Sequence, residues 1–150
     1  MILKINNKKY DIAEKIYLLF QDSYKVEAEL LQVTNFPPLS RSIANLISCG
    51  NVFYAFYLDS EITGVIEVAD SVNGIHIQSL VVSPRYFRRG IGRKLVQFIM
   101  SSYESSRFTV ETGLGNYPAV NLYKSFGFNE VKKWKTNHNV IKVRFEKLSG

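Results

Sequence analysis

The sequence predicts a single α/β (α+β) domain over residues 1–150, built on a mixed, mostly antiparallel sheet of six or seven strands with about four helices around it. Three observations carry that prediction. The chain has 150 residues, 46% of them hydrophobic, which is one domain's length and enough to bury a core. Three strand-like runs, NVFYAFYL, ITGVIEVA and IHIQSLVV, follow one another with Asp59-Ser60 and Ser71-Val72-Asn73-Gly74 as turn signals between them, the pattern of an antiparallel meander. Beyond them, helical and strand-like periodicities alternate to the end of the chain.

Taken in order, Ile2 to Ile5 reads as a short first strand. A helix follows, with Ile12, Ile16, Leu19 and Phe20 at helical spacing behind Asp11 as its cap. Residues 24–39 are less regular, and Phe36-Pro37-Pro38 interrupts any helix because proline lacks the amide and restricts its predecessor. A second helix is predicted over residues 40–50, with Ile43, Leu46 and Ile47 on one face, Cys49 as a small core residue and Gly50 as its stop. After the meander, Ile91, Leu95, Phe98 and Ile99 mark a third helix, and RFTVETGL a fifth strand. A fourth helix over residues 118–126 ends at Gly127, which suits a left-handed cap. The runs FNEVKKWK and VIKVRFEKL flank Thr136-Asn137-His138-Asn139 as a last hairpin, with His138 at the surface.

Charge narrows the function. The net charge is +6, yet residues 1–60 hold six basic and six acidic side chains, so the whole surplus belongs to the remainder. Arg85, Arg88, Arg89, Arg93 and Lys94 supply five charges in one stretch without a nearby acid. A nucleic-acid binder spreads its cations along a face, so a local anion site is the better reading and no nucleic-acid partner is expected. The start, MILKINNKKYD, lacks the apolar core of a signal peptide, and no run reaches the roughly 18 apolar residues of a membrane span, so the expectation is a cytoplasmic protein without a membrane partner. One cysteine cannot form an internal disulfide.

The basic stretch, VSPRYFRRGIGRKL, joins a β-branched strand to a helix through a turn bearing Gly90 and Gly92. Strand, glycine turn and helix N-terminus in that order make an anion site, since free amides and the helix dipole both point outward and glycine lets an anion approach closely. Two phosphate signatures are absent: there is no GxGxxG, and no GxxxxGK followed by Ser or Thr.

Together, SLVVSPRYFRRGIGRKL and the downstream NYPAVNLYKSFGF resemble the GNAT superfamily of acyl-CoA-dependent N-acetyltransferases, from residue 51 onward. The resemblance implies acetyl-CoA as co-substrate and no metal. It places Phe87, Arg88, Arg89, Gly90, Ile91, Gly92 and Arg93 around the pyrophosphate. It puts the pantetheine arm along Leu80, Val81 and Val82, where the fourth and fifth strands splay apart. Asn116 and Ala119 then help hold that arm, Tyr123 protonates the departing thiolate, and the amide of Val81 or Val82 meets the oxyanion. Where the family pattern has glutamine or arginine, this chain has Phe87, which removes one side-chain donor.

The reaction so implied is attack of an amine on a thioester, and an alkylammonium with a pKa of about 10 must first lose its proton. Family members often use a glutamate on the fourth strand, where this chain has Gln78, which cannot act as a base. Glu67, Glu111 and His76 are the substitutes, besides a water chain. Glu67 is preferred as a lone carboxylate amid Val65, Ile66, Val68 and Ala69, whose surroundings should raise its pKa. Phe36 and Gln78 are the expected acceptor-binding residues. The expected partner is a small-molecule or peptide amine with an apolar body, since residues 24–39 contain no acidic trough for a polycation. A homodimer is left open. The rival reading is a catalytically weak CoA-binding or regulatory protein on the same fold.

Overall fold

In the computed structural model, which describes residues 1–149, the meander is formed by β2 (Val52–Leu58), β3 (Glu61–Ser71) and β4 (Gly74–Val82). The short β1 (Ile2–Ile5) adds to one side, and β5 (Arg107–Gly113), β6 (Asn129–Lys135) and β7 (Ile141–Leu148) to the other. The result is one seven-stranded sheet in the order β1-β2-β3-β4-β5-β7-β6, antiparallel throughout except for the parallel pair β4–β5. The expected mixed sheet is therefore the observed one. The final hairpin places β7 beside β5 and β6 at the edge, because the apolar Val143 and Phe145 alternate into the core while β6 is exposed apart from a half-buried Trp134.

Four helices cover the sheet. Helices α1 (Tyr10–Leu31) and α2 (Ile43–Ser48) pack on one face, over Phe53, Ala55, Val65 and Val81. Helices α3 (Ile91–Ser102) and α4 (Tyr117–Ser125) pack on the other, where Leu95, Val96 and Ile99 are fully buried against Ile66, Ile77, Val110 and Phe145. Each such side chain contributes about 1.5–3 kcal/mol through burial. No helix of the described residues is long and apolar enough to cross a membrane.

The first helix departs from expectation at both ends. Lys9 occupies the cap position without a side-chain bond, and Asp11 lies in the first turn, where the helix dipole favours a carboxylate. The helix also runs on through residues 24–31, ending only at Gln32 in the left-handed conformation (φ 58°). The reason is visible in the packing: Phe20, Tyr24 and Ala28 recur at four-residue steps along one face, while intervening polar residues mask the period. Residues 37–40 form a single 3₁₀ turn, and α2 is shorter than the predicted 40–50, capped by the Ser42 hydroxyl accepting from Asn45 N–H at 3.0 Å. Gly127 closes α4 as expected, with φ +85°, and Phe128 N–H returns to the Tyr123 carbonyl at 3.1 Å.

Candidate functional site

The parallel pairing of β4 with β5 covers only residues 75–77 against residues 108–110. Beyond it β4 continues for five residues with no partner on that side, so the two strands part there as the resemblance implied. A bulge opposite Glu67 and Val68 inserts Gln78 at the parting point and reverses which side chains face which layer. Ser79 and Val81 turn toward α1, whereas Leu80 and Val82 pack toward α3.

The alternation of strand hydrogen bonds decides which amides are open. Ser83 N–H donates to the Thr63 carbonyl at 2.8 Å, so Val81, two residues earlier, also directs its amide at β3. The Leu80 and Val82 amides then face the gap. Of the two expected oxyanion donors, Val82 has the free amide and Val81 does not.

Downstream, the loop enters α3 through two left-handed residues, Arg88 (φ 66°) and Gly90 (φ 74°). The first N–H bonded within the helix is that of Lys94, to the Gly90 carbonyl at 3.0 Å, and no side chain caps this end. The amides of Ile91, Gly92 and Arg93 thus end the helix unsatisfied beside the gap. A Cβ at Gly92 would stand 3.7–3.9 Å from Leu122, Leu80 and Val82, which fixes how narrow the gap is there. The basic residues are less uniform than the sequence suggested. Arg89 lies over the Tyr86 ring at 5.2 Å, and Arg93 lies over Phe126 while bonding Ser125 Oγ at 3.0 Å. Phe87 follows a short 3₁₀ turn and is exposed.

Where β4 and β5 part, a cavity of about 420 Å³ opens beneath α1. Phe20, Tyr24 and Phe36 form its roof as an edge-to-face chain with centroid separations of 5.5 and 5.9 Å. Gln78, Leu80, Glu111, Asn116, Ala119 and Tyr123 line its floor and inner wall. Asn116 is the cap of α4 rather than a residue within it, its side-chain oxygen accepting from Ala119 N–H at 3.3 Å. Tyr123 is buried against Phe128 and Phe145, and that burial pushes its phenol above the usual tyrosine range. Phe36 and Gln78 both line the cavity, and so does His138, which was expected only at the surface: its Nδ1 accepts from the Asn35 amide at 3.4 Å across the mouth.

Glu67 is not the lone, base-like carboxylate expected from its strand neighbours. Its carboxylate is fully buried and far from alone, since Arg41 donates to it from Nη1 and Nη2 at 2.6 and 2.9 Å, Asn51 Nδ2 at 2.8 Å and Ser79 Oγ at 2.9 Å. It lies behind the cavity wall, with its lone pairs engaged, and does not line the cavity. Its apolar strand neighbours carry no sign of this, because the neutralising guanidinium comes from 26 residues upstream. His76 is also off the cavity, bonded through Nδ1 to Thr109 Oγ1 at 2.8 Å, and burial lowers its pKa. Glu111 does line the cavity, paired with Arg144 Nη1 at 2.5 Å.

A further carboxylate lines the cavity from α1, that of Glu27. Burial pushes it above the ordinary carboxylate range, while the Asn116 side chain and the Lys142 ammonium pull part of the way back. Its signal lay in the spacing Phe20, Tyr24, Glu27, the i, i+4, i+7 ladder of one helix face, concealed by the expectation that the helix had ended.

The sequence profile of the Acetyltransferase (GNAT) family matches residues 13–128. The chain belongs to this family. Among its relatives, the UPF0157 protein YqkA of Bacillus subtilis is 29% identical over 142 residues, which are 94% of this chain and 41% of that protein. An N-alpha-acetyltransferase of Sulfurisphaera tokodaii is 32% identical over 96 residues, or 53% of this chain and 58% of that one. The chain thus spans about half the length of these relatives. The crystal structure of the PaiA N-acetyltransferase from Thermoplasma acidophilum, in complex with coenzyme A, superposes with a TM-score of 0.76 over 99% of this chain and 98% of that one, at 18% identity.

Proposed function

We propose that the chain transfers an acetyl group from acetyl-CoA to a primary amine of a small molecule or peptide by direct attack within a ternary complex. One observation carries this reading: past residue 77 β4 loses its parallel partner, and Leu80 on that unpaired stretch adjoins both Gly92 at the bare N-terminus of α3 and the cavity that Tyr123 lines. The amides of Ile91, Gly92 and Arg93, with Arg88 beside them, suit the pyrophosphate, and Leu80, Val82, Asn116 and Ala119 suit the pantetheine arm. Acetyl-CoA supplies the activated thioester. Val82 N–H is the donor for the oxyanion, Tyr123 the proton donor to the departing thiolate, and Phe36 and Gln78 flank the amine. A PaiA N-acetyltransferase of the same fold binds coenzyme A, which supports the assignment of the gap.

The test is direct. Gly90→Val and Gly92→Val should abolish thermal stabilisation by acetyl-CoA, a shift equivalent to about 2.7 kcal/mol at a hundredfold excess over Kd, while both variants stay folded. At Gly90 a Cβ meets nothing within 4 Å, so the cost in the free protein is confined to the left-handed backbone. Wild-type protein mixed with acetyl-CoA and an amine panel should release free thiol. Stabilisation without thiol release would identify a CoA-binding protein instead.

Two carboxylates open on the cavity, and Glu27 is the better base, because Glu111 is already engaged by Arg144. Burial raises its pKa, the direction that makes a carboxylate a stronger proton acceptor. The same shift fixes a stability effect. A carboxyl whose folded pKa lies above its ordinary 4.5 favours folding below that value, and this contribution is lost as pH rises through the folded pKa. Glu27→Gln should therefore raise Tm at neutral pH, with the gain vanishing in acid, and lower kcat/KM by about a hundredfold with loss of the rising pH limb. If the pH limb survives in Glu27→Gln and disappears in Glu111→Gln, the role belongs to Glu111.

A further inference from the structure

Opposite charges stand unpaired on two sides of the cavity. Of the ionised groups that line it, Arg41 is forked on Glu67 and Glu111 is clamped by Arg144. Glu27 and Lys142 remain, and among the described residues neither forms an ion pair. Glu27 hangs from α1 beside Asn116, at the end of the cavity that holds Tyr123. Lys142 lines the cavity from β7, which pairs it with Gly113 of β5, and it is half-buried. The two sense each other electrostatically without forming an ion pair, so two opposite charges line the cavity from separate elements.

That arrangement selects among amines. A plain monoamine placed at Glu27 would leave the half-buried ammonium of Lys142 with no counter-charge, and a polyamine would set a second cation against it. A group bearing a carboxylate a few bonds from its amine satisfies both ends at once. Size agrees: about 420 Å³ lies within the range of small-ligand pockets and has room for an amino acid or the first residue of a peptide. Phe36, Pro37 and Val140 line the same space and leave room for an apolar body.

We propose that the acceptor is a zwitterion, its amine held at Glu27 and its carboxylate at Lys142. This rests on the transferase reading above. The carboxylate could belong to a free amino acid or to the side chain of an acidic N-terminal residue, and the chemistry recognised is the same.

The experiment uses pairs matched except for the carboxylate: methionine against methioninamide, and peptides beginning with Glu against the same peptides beginning with Gln. Each is compared by kcat/KM, and separately by titration calorimetry with CoA present, which reads binding without turnover. Wild type should prefer the acid of at least one pair by roughly tenfold or more, the size expected of a charged partner. The free amino acid and the peptide arms distinguish the two sources. Lys142→Met should collapse the acid-to-amide ratio toward one while the acetyl-CoA thermal shift is retained, Lys142→Arg should keep the ratio, and Lys142→Glu should invert it. Equal use of acid and amide by wild type, an equal loss for both in Lys142→Met, or no binding by any member of the panel overturns the proposal. If calorimetry shows the Lys142-dependent preference and no thiol is released, the zwitterion site stands and the transferase reading fails.

Discussion

Arg41→Ala should destabilise the fold by about 3–5 kcal/mol, the usual cost of removing one partner from a buried ion pair. Glu67 is fully buried, and without Arg41 it would keep only neutral donors, Asn51, Ser79 and the weak Cys49 thiol, for a full negative charge. For a chain of this length the loss corresponds to a fall in Tm of roughly 10 °C, readable in a thermal or urea unfolding curve. The penalty belongs to the orphaned charge rather than to the worth of the pair. Replacing both partners, Arg41→Met with Glu67→Leu, should therefore recover most of the stability. Function need not recover with it, because Arg41 and Ser79 both line the cavity and Ser79 loses its Glu67 partner in that variant. A loss below about 1 kcal/mol in Arg41→Ala would show that Glu67 is hydrated and that the pair behaves as a surface contact.

The two partners of that pair stand 26 residues apart, a distance that no local pattern encodes. The meander, the glycine turn into α3 and the stop at Gly127 were legible because each is encoded by neighbours: alternation within a strand, a left-handed glycine, a helical stripe of apolar residues. The Glu67 environment was not, since three of its donors come from residues 41, 51 and 79, on three separate elements or loops. The place of β7 beside β5 was equally hidden. Both strands of the last hairpin are plausible neighbours by propensity, and only burial of Val143 and Phe145 chooses between them. Glu27 was missed for a local reason instead. Residues 24–31 look irregular because Tyr24 and Ala28 hold the helix down through a narrow stripe, amid charged residues that face water.

Tyr123→Phe should lower kcat by roughly tenfold to a thousandfold with little change in the acetyl-CoA thermal shift, as expected for a proton donor that acts mainly in the transition state. The substitution is a clean one here. The ring is held by Phe128 at 5.6 Å and Phe145 at 6.3 Å between centroids, contacts that phenylalanine keeps. Among the described residues no hydrogen bond engages the hydroxyl, so its removal strands no buried partner. Burial also keeps the phenol protonated well beyond neutral pH, so a donor is present throughout the working range and Tyr123 itself should add no falling limb to the pH–rate profile near neutrality. An acid this weak matches a thiolate poorly in water, where a free thiol has a pKa of about 8.5. A leaving sulfur buried between the parted strands is desolvated as well, which raises its own affinity for the proton and narrows the difference. The diagnostic is a split between parameters: kcat falls, the CoA thermal shift stays, and stability is unchanged within about 1 kcal/mol. If kcat stays at the wild-type level, Tyr123 is a packing residue and the proton comes from solvent entering by the cavity mouth.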